Sequence, residues 1–166
     1  MSDIEFDPKD FRFALGQFPT GVTIVTTRTK DGEPIGVTAS SFNTVSMDPP
    51  LILWSVDKKA FSAETFSENE YFVVNVLADS QVATSNRFAS RGEDKFKNIA
   101  YENGLGDSPV IEGSIAHFEC KNWSVYEGGD HFIIVGEVQK YQYNKNQSPL
   151  LFSQGKYAVS SAHPDC

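Results

Sequence analysis

Between Thr38 and Ser46 the chain carries six hydroxyl or amide side chains in nine residues: Thr38, Ser40, Ser41, Asn43, Thr44 and Ser46. Val37, Ala39, Phe42, Val45 and Met47 are threaded among and around them. Such a lane is too polar for a core strand and too apolar for a solvated loop. It presents donors and acceptors along one edge of whatever it faces. Further on, in "SVDKKAFSAETF", Lys58 and Lys59 stand just before a predicted helix start. Free N–H groups at a helix N-terminus, with cations beside them, suit a phosphate. A third feature is "GGDHFIIVGEV", which sets His131 at the mouth of a predicted hairpin. Each has a plainer reading: a wet strand face, solvated lysines, a histidine bonded to a turn. All three are also accounted for by one ligand, a flat polar heterocycle with a phosphate tail.

Other chemistries find less support. His117 and Cys120 lie three apart in a predicted strand, which points them to opposite faces. His163 and Cys166 belong to a terminal tail, so no metal site is expected. No G-x-S-x-G elbow is present, and Cys120, next but one to Phe118, reads as a small buried hydrophobe. "GLGDSP" begins like a dinucleotide fingerprint but has Pro109 where the third glycine belongs.

The elements that must position these residues are mostly strands. Asp7-Pro8 caps a short amphipathic helix through Phe11, Leu15 and Phe18. Val22–Thr27 and Ile35–Ala39 are strands joined by a turn at Asp31-Gly32. Val37 and Ala39 share one parity, Phe42 takes the other, and Val45 and Met47 return to the first. A strand cannot change faces without a bend, so a kink is expected at Ser40–Asn43. Leu51–Val56 reads as a buried strand, followed by a turn and a short helix, then a strand at Tyr71–Leu77. Asp79-Ser80 is expected to cap a helix reaching about Ala89, and "ENGLGDSP" to be loop. Ser114–Tyr126 and His131–Tyr143 form a long hairpin across "EGGD", with a last strand near Pro149–Phe152. Hairpin connections dominate, so six or seven mainly antiparallel strands should close or nearly close into a barrel.

Bulk properties frame the choice of partners. The chain has 166 residues, enough for one domain over 1–166 with a single core. Its net charge of -8 disfavours nucleic acid and anionic membrane. The start "MSDIEFDPKD" has no basic or apolar leader, and no apolar run reaches spanning length. Two cysteines cannot make a disulfide framework, so the cytoplasm is the expected compartment.

In "FPTGVTIVTT", "GVTASSFNTVSMDPPLIL", Phe72–Leu77, "NRFA", "DKF", "GGDHFIIVGEV" and "PLLFSQGKY", the chain resembles the flavin reductase domain of two-component flavin-dependent monooxygenases. The order and spacing of these pieces carry the resemblance from about Phe11 to Tyr157. It implies a mainly β fold, an FMN-binding split β-barrel with short peripheral helices, paired as a homodimer. It implies FMN or FAD as flavin and NADH or NADPH as electron donor. Thr38, Ala39, Ser40 and Ser41 would contact the ring and ribityl chain. Ser55, Asp57, Lys58, Lys59 and Ser62 would lie along the phosphate, although the Lys58-Lys59 pair is not a fixed feature of the family. Arg87 and Phe88 belong to the "RFA" element, with Arg87 turned to phosphate. His131, the catalytic assignment, and Tyr157 would stand where nicotinamide docks. Reduced flavin would pass to a separate oxygenase component. Two alternatives stay open: a reductase of another acceptor, such as ferric ion or a corrinoid, and a non-catalytic flavin-binding split barrel.

Overall fold

The computed structural model describes residues 4–92 and 94–166. The chain runs as α1 (Pro8–Leu15), β1 (Thr20–Gly21), β2 (Thr23–Arg28), β3 (Pro34–Ala39), β4 (Asn43–Met47), β5 (Pro50–Asp57), α2 (Ala63–Glu68) and β6 (Tyr71–Val76). It continues with α3 (Val82–Ala89), β7 (Tyr101–Asn103), β8 (Pro109–Ile111), β9 (Ala116–Gly128), β10 (His131–Tyr143), β11 (Leu150–Ser153) and β12 (Lys156–Val159).

Seven strands form one antiparallel sheet in the order β3-β2-β6-β9-β10-β5-β4. Its two edge strands, β3 and β4, are consecutive in the chain, joined only by residues 40–42. That connection decides the shape. Four Cα steps span at most about 14 Å. A flat sheet of this order would hold its edges roughly 29 Å apart. The sheet must therefore curl until β3 stands beside β5, giving a split barrel with its seam at residues 40–42. The fold is mainly β, as the resemblance implies.

The barrel interior is filled by Val25, Ile52, Trp54, Val56, Phe66, Phe72, Val74, Cys120 and Ile134. Trp54 is fully buried, edge-on to Phe66 with ring centroids 4.9 Å apart. At Gly136, where the pairing of β10 with β9 slips, a Cβ would come within 2.5 Å of the Phe72 ring. Only glycine permits that approach. A second cluster, built on Val22, Ile24, Leu77, Phe88, Ile111 and Leu150, packs α3 against β2 and β3. There Gly36 brings the Phe88 ring to 2.9 Å of where a Cβ would stand.

Several local expectations change. The kink falls as a break between two strands rather than within one, and the bulge lies further on, between Thr44 and Ser46. β5 is not buried throughout: Ile52, Trp54 and Val56 point inward while Leu51, Leu53 and Ser55 are half-buried. Asp79–Gln81 forms a 3₁₀ turn, and the Gln81 side chain accepts from the Ala78 N–H at 2.8 Å in place of an aspartate cap. "ENGLGDSP" contributes to the two-stranded ribbon β7–β8, pinned where buried Glu119 accepts from the Leu105 N–H at 2.8 Å. Helix α1 is capped by Asp7 as expected, yet none of its residues is buried. Among the described residues no helix is long and apolar enough to cross a membrane.

Candidate active site at the barrel seam

The seam opens into a cavity of about 270 Å³. One wall is Val37 to Ser41, from the end of β3 and the link that follows. The facing wall is Trp54 to Asp57 on β5. Ala60 and His131 complete the rim. Seven of the residues singled out from the sequence thus meet here: Thr38, Ala39, Ser40, Ser41, Ser55, Asp57 and His131. They converge because β10 pairs with β5, setting His131 directly across from Asp57.

The hydroxyls of the lane have different tasks. Thr38 donates to the Ser85 carbonyl at 2.7 Å, which ties the wall to α3. Ser41 accepts from the Ser55 N–H and donates to the Ser55 carbonyl, which ties it to β5. Ser40 is exposed, and among the described residues its hydroxyl has no partner within the chain. The amides of residues 40–42 likewise make no bond to other backbone groups among the described residues. Of these residues Ser40 and Ser41 line the cavity, so the link brings donors without backbone partners to its wall.

At the other end of the cavity, Asp57 shapes the turn. Its carboxylate accepts from the Lys59 N–H at 2.8 Å, and its carbonyl from the Ala60 N–H at 2.9 Å. The Lys58 ammonium pairs with Glu127 and lies 5.2 Å from the centre of the Phe132 ring. Ser62 precedes α2 without a side-chain capping bond, and α2 is only six residues long. His131 is 41% exposed at its side chain, and its Nδ1 lies 2.7 Å from Asp130 Oδ1. The carboxylate accepts from Nδ1–H, which leaves Nε2 for a ligand. That hydrogen bond, and the charge of His131, hold the Asp130 carboxyl below its usual range.

Three singled-out residues stand behind the wall. Tyr157 shares a hydrogen bond of 2.7 Å with Ser85 and donates to Asn86 Oδ1 at 2.9 Å. It reaches the cavity only through Ser85 and Thr38. Arg87 donates to the Lys97 carbonyl at 2.6 Å. The Phe88 ring is fully buried in the second cluster. Conversely, Trp54, Val37, Val56 and Ala60 line the cavity without having been singled out. Reading β5 as an alternating strand would have placed Trp54 and Val56 on the inner face with the site. Cys120 is buried in the core, where desolvation raises its thiol to about 12, so it is no thiolate nucleophile.

The family described as "Flavin reductase like domain" matches residues 15–161. The chain belongs to this flavin reductase-like family. This flavin reductase-like chain is 42% identical over 156 residues to a flavin reductase of Pseudomonas putida, covering 94% of this chain and 92% of that protein. It is 43% identical over 151 residues to HsaB, the reductase subunit of a flavin-dependent monooxygenase of Rhodococcus jostii, covering 91% and 77%. Among solved structures, the NADH:FAD oxidoreductase SgcE6 of Streptomyces globisporus, in complex with NAD and FAD fragments, superposes with a TM-score of 0.87. That pair is 38% identical and covers 98% of this chain and 99% of the other.

The site of this flavin reductase-like chain suits a flavin on its own terms. A cavity of about 270 Å³ lies near the lower end of small-molecule sites. That is room for a ring system with its tail left at the rim. Donors without backbone partners stand on one wall, and Asp57 and Ala60, which flank the two lysines in the chain, stand at the rim.

Proposed function

We propose that the chain is an NAD(P)H-dependent flavin reductase, taking FMN or FAD and delivering reduced flavin to a separate monooxygenase. The observation that carries this reading is the convergence at one cavity of the Thr38–Ser41 wall, Ser55, Asp57 and His131. When bound, the flavin supplies the two-electron chemistry, accepting a hydride from nicotinamide C4 at its N5. The chain supplies orientation. The Ser40 and Ser41 amides and the Ser40 hydroxyl would donate hydrogen bonds to the polar edge of the ring. Trp54 and Val56 keep water from its inner side. His131, on the cavity rim with Nδ1 bonded to Asp130, would orient the nicotinamide through its remaining ring nitrogen. Near-attack contact between the two rings is about 3–3.5 Å, so a small tilt of this wall costs rate.

Lys58 and Lys59 serve the phosphate tail in this reading, with Ser62 alongside. Tyr157 acts by holding Ser85 and, through it, Thr38. Arg87 and Phe88 support α3 behind the wall.

The chain acts as one domain, and two copies pair. Phe11, Leu15 and Phe18, 46–73% exposed along and after α1, form an apolar face that the barrel does not cover. A second copy of the chain is the occupant that removes it from water. We place the enzyme in the cytoplasm, beside the nicotinamide pool.

The experiment is direct. Purified protein mixed with FMN or FAD and NADH or NADPH should consume the reduced nicotinamide without any further acceptor. Consumption only on adding ferric ion or a corrinoid would favour a reductase of that acceptor. No consumption with any pair would leave a flavin-binding module.

A further inference from the structure

We propose that Glu127 is a built-in competitor for the flavin phosphate: it holds Lys58 when no ligand is bound and surrenders it when the phosphate arrives. This rests on the flavin-reductase reading and adds to it a determinant of flavin choice and release.

The strand register carries the argument. Val56, Phe132 and Glu127 stand abreast on β5, β10 and β9. Residues directly opposite in an antiparallel sheet share a face. Phe132 and Glu127 therefore share a face with Val56, and Asp57 and Ala60, on either side of Lys58, line the cavity. The Lys58 ammonium lies over the Phe132 ring and pairs with Glu127, which puts the cation on that same face. The Lys58 N–H is bonded to the Asp130 carbonyl at 3.0 Å, which fixes the turn against the hairpin. Asp130 also lies within electrostatic reach of Lys59. Both lysines are thus answered by carboxylates of one hairpin.

A self-neutralised rim has a functional consequence. The Lys58 side chain is 34% exposed and that of Glu127 75%, so their pairing is weak and exchangeable. A phosphate carries more charge than a carboxylate and takes the lysine from it. The exchange subtracts the lost pair from the phosphate's gain, which keeps the hold on phosphorylated flavin moderate. A flavin without phosphate leaves the pair intact.

The test compares FMN with riboflavin, whose ring is the same and whose tail lacks phosphate. The readout is the ratio of their dissociation constants, by fluorescence titration, in the full chain. E127Q should shift the ratio roughly two- to fivefold towards FMN. K58M should shift it roughly five- to tenfold towards riboflavin. K58M/E127Q should match K58M, because Glu127 acts through Lys58. Both side chains reach solvent, and K58Q serves as the second variant if K58M folds poorly. An unchanged ratio in E127Q, or an equal shift with Lys58 absent, would overturn the competition while leaving the flavin reading intact. Wild-type protein that binds neither flavin would overturn the flavin reading, and the competition with it.

Discussion

The Ser41 hydroxyl occupies both backbone hydrogen-bonding groups of Ser55, accepting from its N–H at 2.8 Å and donating to its carbonyl at 3.2 Å. A side chain here does what a neighbouring strand does elsewhere. β3 has ended and β4 has not begun, so no backbone is in register to pair with Ser55 on that side. The hydroxyl forms a single rung across the seam and holds the two cavity walls at a set separation.

Removing that rung should loosen the seam. S41A is expected to lose about 1–2 kcal/mol of stability, because it deprives two backbone groups of their partner. It should also weaken flavin binding, since the facing wall is no longer fixed. S41T, which keeps a hydroxyl, should recover most of both. Urea unfolding and flavin titration of the two variants check this.

H131A should slow hydride transfer more than it weakens flavin binding. The imidazole stands at the rim, with Nδ1 bonded to Asp130 and Nε2 without a partner among the described residues. Stopped-flow reduction of bound flavin separates the two effects. An unchanged reduction rate in H131A would remove His131 from the mechanism.

Y157F should disturb the cavity without touching it. The variant loses the bonds of the tyrosine hydroxyl to Ser85 and Asn86. Each such bond contributes about 1 kcal/mol net. Ser85 in turn accepts from Thr38 through its carbonyl, so T38V should reproduce part of the effect. The double variant T38V/Y157F should show less than the sum of the two losses, measured as stability and as KM for flavin.

Cys120 makes stability fall with alkaline pH. Burial raises its thiol from 9.0 to about 12 in the folded chain, with Glu119 adding to the effect. The unfolded thiol ionises first, so its contribution is whole below about pH 9 and is lost as pH rises towards 12. The slope across that window is up to about 1.4 kcal/mol per pH unit. C120A should flatten it in denaturation curves taken over the alkaline range. Native protein should also react with a thiol reagent at exposed Cys166 and not at Cys120.

Much of this molecule is local enough to be read along the chain. The β-branched run before Arg28, the Asp31-Gly32 turn, the Asp7-Pro8 cap and the "EGGD" hairpin each specify their element through short-range sterics. The polar lane, too, is legible as something other than plain core or plain loop, because hydroxyls alternate there with apolar side chains. The expected cap at Asp79 fails for an equally physical reason: residues 79–81 already wind as a 3₁₀ turn, so Asp79 stands inside that turn rather than just before α3.

Long-range pairing settled the rest. Nothing local to Thr38, Ser40 and Ser41 says which of them keeps a free hydroxyl. That depends on α3 offering the Ser85 carbonyl to Thr38, and on β5 offering Ser55 to Ser41. The same holds for Tyr157 and Phe88, which a linear reading places at the ligand and which fold behind the cavity wall, beside Ser85 and in the second cluster. Residue types along the chain dictated the strands, the turns and the kind of surface. Which hydroxyls stay unpaired, and which carboxylate meets Lys58, follow from strand order together with the packing of α3. Hydrogen-bond partners far apart in the chain are assigned only when the sheet curls and its edges meet.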